Sequence, residues 1–208
     1  MAYLVELFPT TVAAKLFQTT TGGLIFFVVY VVWVLSELVV GGIIPHSRRR
    51  GARIRYEDES SRLLLSLTML LALVTAFLFA ASGIASLPSW AFYLGIGLTI
   101  AGIVLRQWSI AVLGRYFSRT VGVQEGQAVV ERGPYRLIRH PAYTGLLLAI
   151  IGLGFVLQSW GAVLVLIALF GVGFGYRIHV EEAFLTSKLG NEYVTYTKRT
   201  KRLIPYVL

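Results

Sequence analysis

The sequence contains no cysteine, which excludes disulfides, thiol nucleophiles and thiolate metal sites together and leaves the redox compartment open. Histidine is scarce. His46, His140 and His179 are the full set, too few and too scattered to make a metal centre by themselves, so no metal is expected. Charge is the third shortage: 14% of the 208 residues are charged, against about a quarter in soluble domains, while 56% are hydrophobic. With a mean hydropathy of +0.73, these proportions exclude a soluble globular domain and describe an integral membrane protein. Acidic residues are outnumbered 10 to 19 by Lys and Arg, but the basic residues gather at the ends of apolar runs. The positive-inside rule accounts for that without a nucleic-acid partner.

What remains is apolar sequence in lengths that suit a bilayer, whose hydrocarbon core of about 30 Å needs about 20 helical residues. Residues before about 20 hold a short apolar patch, Leu4 to Phe8, interrupted by Glu6 and Pro9 and followed by Lys15. It has no basic n-region and no cleavage signal, so an interfacial helix is expected rather than a removable signal peptide. Spans are predicted at about 22–44, 63–85, 90–113, 142–157 and 162–178. The first is followed by Arg48, Arg49, Arg50, Arg53 and Arg55, read as topogenic. The neutral turn Ser86 to Ser89 joins the second and third spans and belongs on the outer face, with Trp90 and Tyr93 as interface anchors. Five helices with the amino terminus outside leave only Lys15 among the basic residues on the outer side. The expected fold class is therefore all-α integral membrane, a single domain over 1–208. Gly171, Gly173 and Gly175 fit a small-residue packing face. No strand precedes them, so they are not a dinucleotide fingerprint.

One stretch cannot be a span. Gly133-Pro-Tyr-Arg-Leu-Ile-Arg-His-Pro-Ala-Tyr-Thr-Gly145 contains two prolines, two arginines and a histidine. Pro134 and Pro141 each remove a backbone donor and bias the preceding residue away from the helix, so the segment takes a kinked course at the membrane boundary. Pro141 also suits the first turn of the helix that follows.

Three further groups share the basic side. Arg106 lies about seven residues before its helix end, hence roughly 10 Å deep, and Glu37 lies at comparable depth. An intramembrane arginine costs a few kcal/mol unless it has a partner or ligand, so either a Glu37 pair, snorkelling or a substrate role is expected. Glu181 and Glu182 point about 100° apart on a helix, so one faces a pocket while the other meets solvent or Arg177. His140 taken alone is more often a capping or interface residue than a catalyst.

The Gly133 to Gly145 motif, Glu181-Glu182, Gly190-x-Glu192-Tyr193-x-x-Tyr196 and Arg202-Leu-Ile-Pro205 together resemble the isoprenylcysteine carboxyl methyltransferase family and its phospholipid methyltransferase relatives, in the family's order. The likeness runs from Leu105-Arg106 onward, a catalytic half of about 105–208. It implies S-adenosylmethionine bound on the cytosolic side and a lipophilic or lipidated acceptor arriving from the bilayer. By the resemblance, Gly133, Pro134, Tyr135, Arg139, His140, Pro141, Tyr143, Gly145, Glu181 and Glu182 surround the cofactor. Arg106, with Glu37 and Arg177, meets the substrate, and Arg106 and His140 are the catalytic candidates. The implied location is a bacterial or archaeal cytoplasmic membrane. One departure is Gln127, where many members have histidine, and it bears on the acceptor class.

Methyl transfer from a sulfonium rests on alignment and water exclusion. A carboxylate acceptor needs no base, whereas an amine or thiol needs His140 or a glutamate to take its proton. The alternatives are a lipid amine N-methyltransferase or thiol S-methyltransferase of the same fold, an NADPH-dependent lipid reductase with a similar carboxyl-terminal layout, or a non-catalytic protein that keeps the motif for folding. The tail around Tyr193, Tyr196 and Arg199 is expected to cover the cofactor.

Overall fold

The computed structural model describes residues 20–47, 53–55, 59–118, 121–124 and 126–205. The interfacial helix expected at the amino terminus and the arginines at 48–50 lie outside the described residues. Helices dominate: α1 Thr20–Ser47, α2 Glu59–Ser82, α3 Trp90–Leu113, α4 Pro141–Val156, α5 Trp160–Leu189 and α6 Asn191–Arg199. Two short strands, β1 Arg53–Arg55 and β2 Gly122–Gln124, pair antiparallel. The arginine-bearing connection after α1 is therefore fastened to the loop after α3, which a purely topogenic reading does not provide.

Four helices, α1, α2, α3 and α5, are long and apolar enough to cross a membrane. Helix α4 has 16 residues, about 24 Å at 1.5 Å per residue, and is short for a crossing. Helix α5 runs 30 residues to Leu189, well past the expected end at 178. The charged residues from Arg177 to Glu182 do not break it, because their side chains find partners within the fold.

The central contact is a glycine seam between α3 and α4, which run antiparallel. A β-carbon on Gly102 would lie 2.5 Å from both Gly145 O and Ala149 N, and one on Gly145 would lie 2.7 Å from Arg106 N and Gly102 O. Gly95 and Gly152 repeat the arrangement seven residues along each helix, and Thr99 Oγ1 donates to Gly95 O at 2.9 Å within it. Without side chains in the way the two backbones touch, the device that replaces hydrophobic burial where the surroundings are already apolar. The expected packing face at Gly171, Gly173 and Gly175 is corrected: only Gly173 meets a neighbour, Thr68 of α2, while Gly171 and Gly175 face open space. Residues two apart on a helix point in different directions, so the triplet cannot form one stripe.

Helix α2 lies along α5 through Ala72, Ala76 and Ala80, which are buried with Leu166, Phe170 and Phe174 in the main core. At the end opposite the arginines, the two neutral turns pack on each other. Leu87 N donates to Gln158 O at 2.7 Å and Trp160 N to Ala85 O at 2.9 Å. Ser159 accepts from Ala162 N to cap α5. Helix α1 stands apart, touching the core with one edge: Ile25, Phe26, Val29 and Trp33.

Candidate active site

The kinked segment has the course its prolines dictate. Gly133–Arg136 is one turn of 3-10 helix with Pro134 in its first turn, entered through Gly133 at φ +56°, where Gly133 also lies against Val112 and Trp108 of α3. His140 then leads into Pro141 at the start of α4. Pro134 and Pro141 have no N–H to satisfy; Leu137 N and Ile138 N turn back to Pro134 O, and the next two residues bond to the tail. Arg139 N donates to Lys201 O at 2.7 Å, His140 N to Arg202 O at 3.0 Å and Lys201 N to Leu137 O at 3.2 Å. The tail beyond α6 thus runs beside the segment as a short parallel bridge, fixed further by Thr144 Oγ1 to Leu203 O at 2.9 Å and Tyr196 Oη to Tyr135 O at 2.8 Å.

Glu182 holds this arrangement from α5. Its Oε1 accepts from Arg139 Nε at 2.8 Å and lies 3.3 Å from His140 Nε2, and its Oε2 accepts from Arg202 Nη2 at 2.9 Å. The second nitrogen arm of Arg139 reaches the carbonyls of Thr197 and Thr200 at the end of α6, where a cation is favoured. Glu181 points the other way, accepting from Tyr143 Oη at 2.8 Å. The 100° between adjacent helical side chains has assigned one carboxylate to the cavity and the other to the latch.

A cavity of about 960 Å³ opens here, at the upper end of the usual range for ligand sites. Its polar wall carries Tyr135, Arg139, His140, Tyr143 and Glu181, with Arg62 and Arg177 nearby. An apolar arm continues along the bundle past Trp33, Phe26, Leu73, Phe77 and Leu153. Arg106 and Glu37 both border it and are joined: Arg106 Nε pairs with Glu37 Oε1, Nη2 donates to Glu37 Oε2 at 2.8 Å, and Nη1 donates to Ala142 O at 3.2 Å. Arg177 is 4% exposed and donates to Ser61 Oγ at 2.7 Å, joining α5 to the first turn of α2.

Of the residues expected around a cofactor, Tyr135, Arg139, His140, Tyr143 and Glu181 line the cavity, as do the three expected at the substrate, Arg106, Glu37 and Arg177. The other five stand behind the wall. Gly145 sits in the α3–α4 seam, Gly133, Pro134 and Pro141 set the course of the segment, and Glu182 holds it in place.

Sequence reasoning missed the stretch from Gln127 to Val130, which forms a further wall of the cavity. It is pinned from α6 by Glu192, whose Oε1 accepts from Val129 N at 2.9 Å, and by an exposed Arg199 to Glu131 pair at 2.8 Å. The only signal there was Gln127 itself. Tyr193 and Tyr196 also line the cavity. Burial, then the charges of Glu182 and Glu181, push the Tyr193 phenol well above its ordinary range, and burial does the same to Tyr135 and Tyr196, so all three are protonated donors at neutral pH.

Residues 95–187 match the isoprenylcysteine carboxyl methyltransferase (ICMT) family. That span contains Arg106, the Gly133 to Gly145 motif and both glutamates, beginning before Leu105 and stopping short of the tail. A probable protein-S-isoprenylcysteine O-methyltransferase of Oryza sativa subsp. indica is 27% identical over 176 residues, covering 83% of this chain and 90% of the relative. Protein-S-isoprenylcysteine O-methyltransferase B of Arabidopsis thaliana is 29% identical over 120 residues, 57% of this chain and 61% of the relative. Among solved structures, the eukaryotic intramembrane Ras methyltransferase ICMT has a similar fold, with a TM-score of 0.55 and 24% identity over 72% of this chain and 54% of that one. With four apolar helices of membrane length and this likeness, the chain is a multi-pass membrane protein that resembles the isoprenylcysteine carboxyl methyltransferase family across the region carrying the kinked motif and the paired glutamates.

Proposed function

We propose that this chain is an S-adenosylmethionine-dependent membrane methyltransferase whose acceptor is lipophilic, foremost the carboxylate of an isoprenylcysteine-like molecule. One observation carries the reading: a single cavity joins a polar wall, built from the kinked motif and Glu181, to an apolar arm inside the helical bundle. A nucleoside needs the first and an isoprenoid chain the second. The residues fit such a donor. Aromatic rings and a carboxylate line the polar wall, and a buried Tyr193 hydroxyl there has no partner.

S-adenosylmethionine supplies, when bound, a methyl group on a positively charged sulfur. The chain's residues contribute alignment and water exclusion. Tyr135, Arg139, His140, Tyr143 and Glu181 bound the donor, while Gly133, Pro134, Pro141, Gly145 and Glu182 hold that wall in place. Arg106, in exchange with or alongside Glu37, orients the acceptor carboxylate, with Arg177 on the same wall. No base is needed for that acceptor. In the membrane, the two tightly packed neutral turns face outward and the arginine-bearing end faces the cytosol. Helix α4 makes a fifth, short crossing against α3, with the amino terminus outside, in a single methyltransferase domain whose catalytic half begins near 105. The membrane is the cytoplasmic membrane of a bacterium or archaeon.

Glu37 favours a second reading. A carboxylate within the cavity suits an amine, so a lipid amine is the alternative acceptor, with His140 beside Glu182 taking the proton. Methyl incorporation into N-acetyl farnesylcysteine and into phosphatidylethanolamine separates the two. The carboxylate reading predicts incorporation into the first, reduced about a hundredfold by Arg106→Ala, the scale of a lost alignment. Incorporation into phosphatidylethanolamine alone moves the reading to the amine. Unchanged turnover in Arg106→Ala removes Arg106 from the acceptor site.

A further inference from the structure

Two tyrosines one turn apart on α6 differ in a way the fold does not require. Tyr196 and Tyr193 are each 3% exposed, their rings are 5.9 Å apart and both line the cavity. Tyr196 Oη is satisfied by Tyr135 O at 2.8 Å. Tyr193 Oη is one of two buried side-chain donors without a partner among the described residues, the other being Gln107 Nε2. A donor left unbonded out of water is destabilising, and phenylalanine would fill the same space without that cost. The two nearby carboxylates bond to other groups, Glu182 to Arg139, His140 and Arg202 and Glu181 to Tyr143, and neither takes the Tyr193 hydroxyl.

We propose that Tyr193 is a cofactor-binding residue, its hydroxyl donating to a neutral acceptor atom, a ring nitrogen or ribose oxygen, on the nucleoside half of the methyl donor. The assignment rests on the proposed function and names a contact within that same site. The local charge selects the half. After burial, the carboxylates of Glu182 and Glu181 bear most on this phenol. A ligand carboxylate placed here would meet like charge, and an ammonium offers no lone pair to a donor. A nucleoside offers uncharged acceptors. The contact also gives α6 a reason to be tied so firmly to the kinked segment, since the tie sets the depth of the hydroxyl.

Tyr193→Phe keeps the ring and removes the donor. Calorimetric titration of the intact protein in detergent with S-adenosylhomocysteine and with methylthioadenosine, which lacks the amino-acid end, tests the assignment. Both affinities fall by roughly five- to tenfold in the variant, one hydrogen bond's worth, while the melting temperature of the ligand-free variant stays level or rises. Equal affinities in the two proteins overturn the proposal. A loss confined to S-adenosylhomocysteine overturns it too, by moving the contact to the amino-acid end, and a lower ligand-free melting temperature does so by showing a structural partner. Failure of the unmodified protein to bind either compound overturns the methyl-donor reading itself, whatever the variant does.

Discussion

Helices α1 and α4 are both apolar, both border the cavity and both meet Arg106, yet they are held in opposite ways. Helix α4 lies backbone to backbone on α3, with Gly145 and Gly152 against Gly102 and Gly95. Helix α1 presents Leu24, Phe27, Leu35 and Leu38 outward, more than half exposed, meets the core along the edge Ile25, Phe26, Val29 and Trp33, and pairs Glu37 with Arg106 of α3. In a bilayer that exposure carries no penalty, because lipid tails cover the face as well as protein would. The contrast separates two jobs. The α3–α4 seam fixes the kinked motif at its carboxyl-terminal end, Gly145, whereas α1 borders the apolar arm of the cavity and meets the core along one edge only.

Breaking the seam should have the largest effect. Gly102→Val puts a β-carbon 2.5 Å from two backbone atoms of α4, neither of which can move alone. A loss of roughly 3 kcal/mol or more is expected, measured as thermal unfolding by circular dichroism in detergent. Glu182→Gln comes next. It removes the charge shared by Arg139, His140 and Arg202 from a site where the carboxylate is 12% exposed, at a cost of roughly 3 kcal/mol confined to the latch. Trypsin should then cut at Arg199 to Arg202 faster than in the unmodified protein, while Glu181→Gln leaves that cutting unchanged. Glu37→Gln is milder, roughly 2 kcal/mol, because it removes the charge beside an intramembrane arginine but leaves an amide oxygen to accept from Arg106. Spin labels on α1 and α3 should report a broader distance distribution in that variant. Gly171→Ala should shift stability by less than about 0.5 kcal/mol, since nothing lies within 4 Å of the added methyl.

Much of this was legible in the residues. Apolar run lengths located four helices of membrane length, α1, α2, α3 and α5, and two prolines around Arg139-His140 marked a segment that could not be a spanning helix. Adjacent glutamates implied divided duties, though only packing could decide which faced the cavity. The seam was not legible, because Gly95, Gly102, Gly145 and Gly152 become a pattern only once α3 and α4 are known to be neighbours. The closer-spaced glycines of α5 drew attention instead and mostly face outward. The apolar run of α5 ends near 178, and how far the helix continues beyond it is set by packing rather than hydropathy. Here Arg177, Glu181 and Glu182 are all paired and the helix continues. Gln127 to Val130 carries no chemical signature beyond the glutamine, and its place in the cavity wall depends on Glu192, over sixty residues later.

Whether Glu181 and the kinked motif enclose a sulfonium nucleoside is decided by calorimetric titration of the purified protein with S-adenosylhomocysteine and NADPH. S-adenosylhomocysteine should bind, Glu181→Gln should weaken it, and NADPH should give no heat. Binding of NADPH alone would rule the sulfonium donor out.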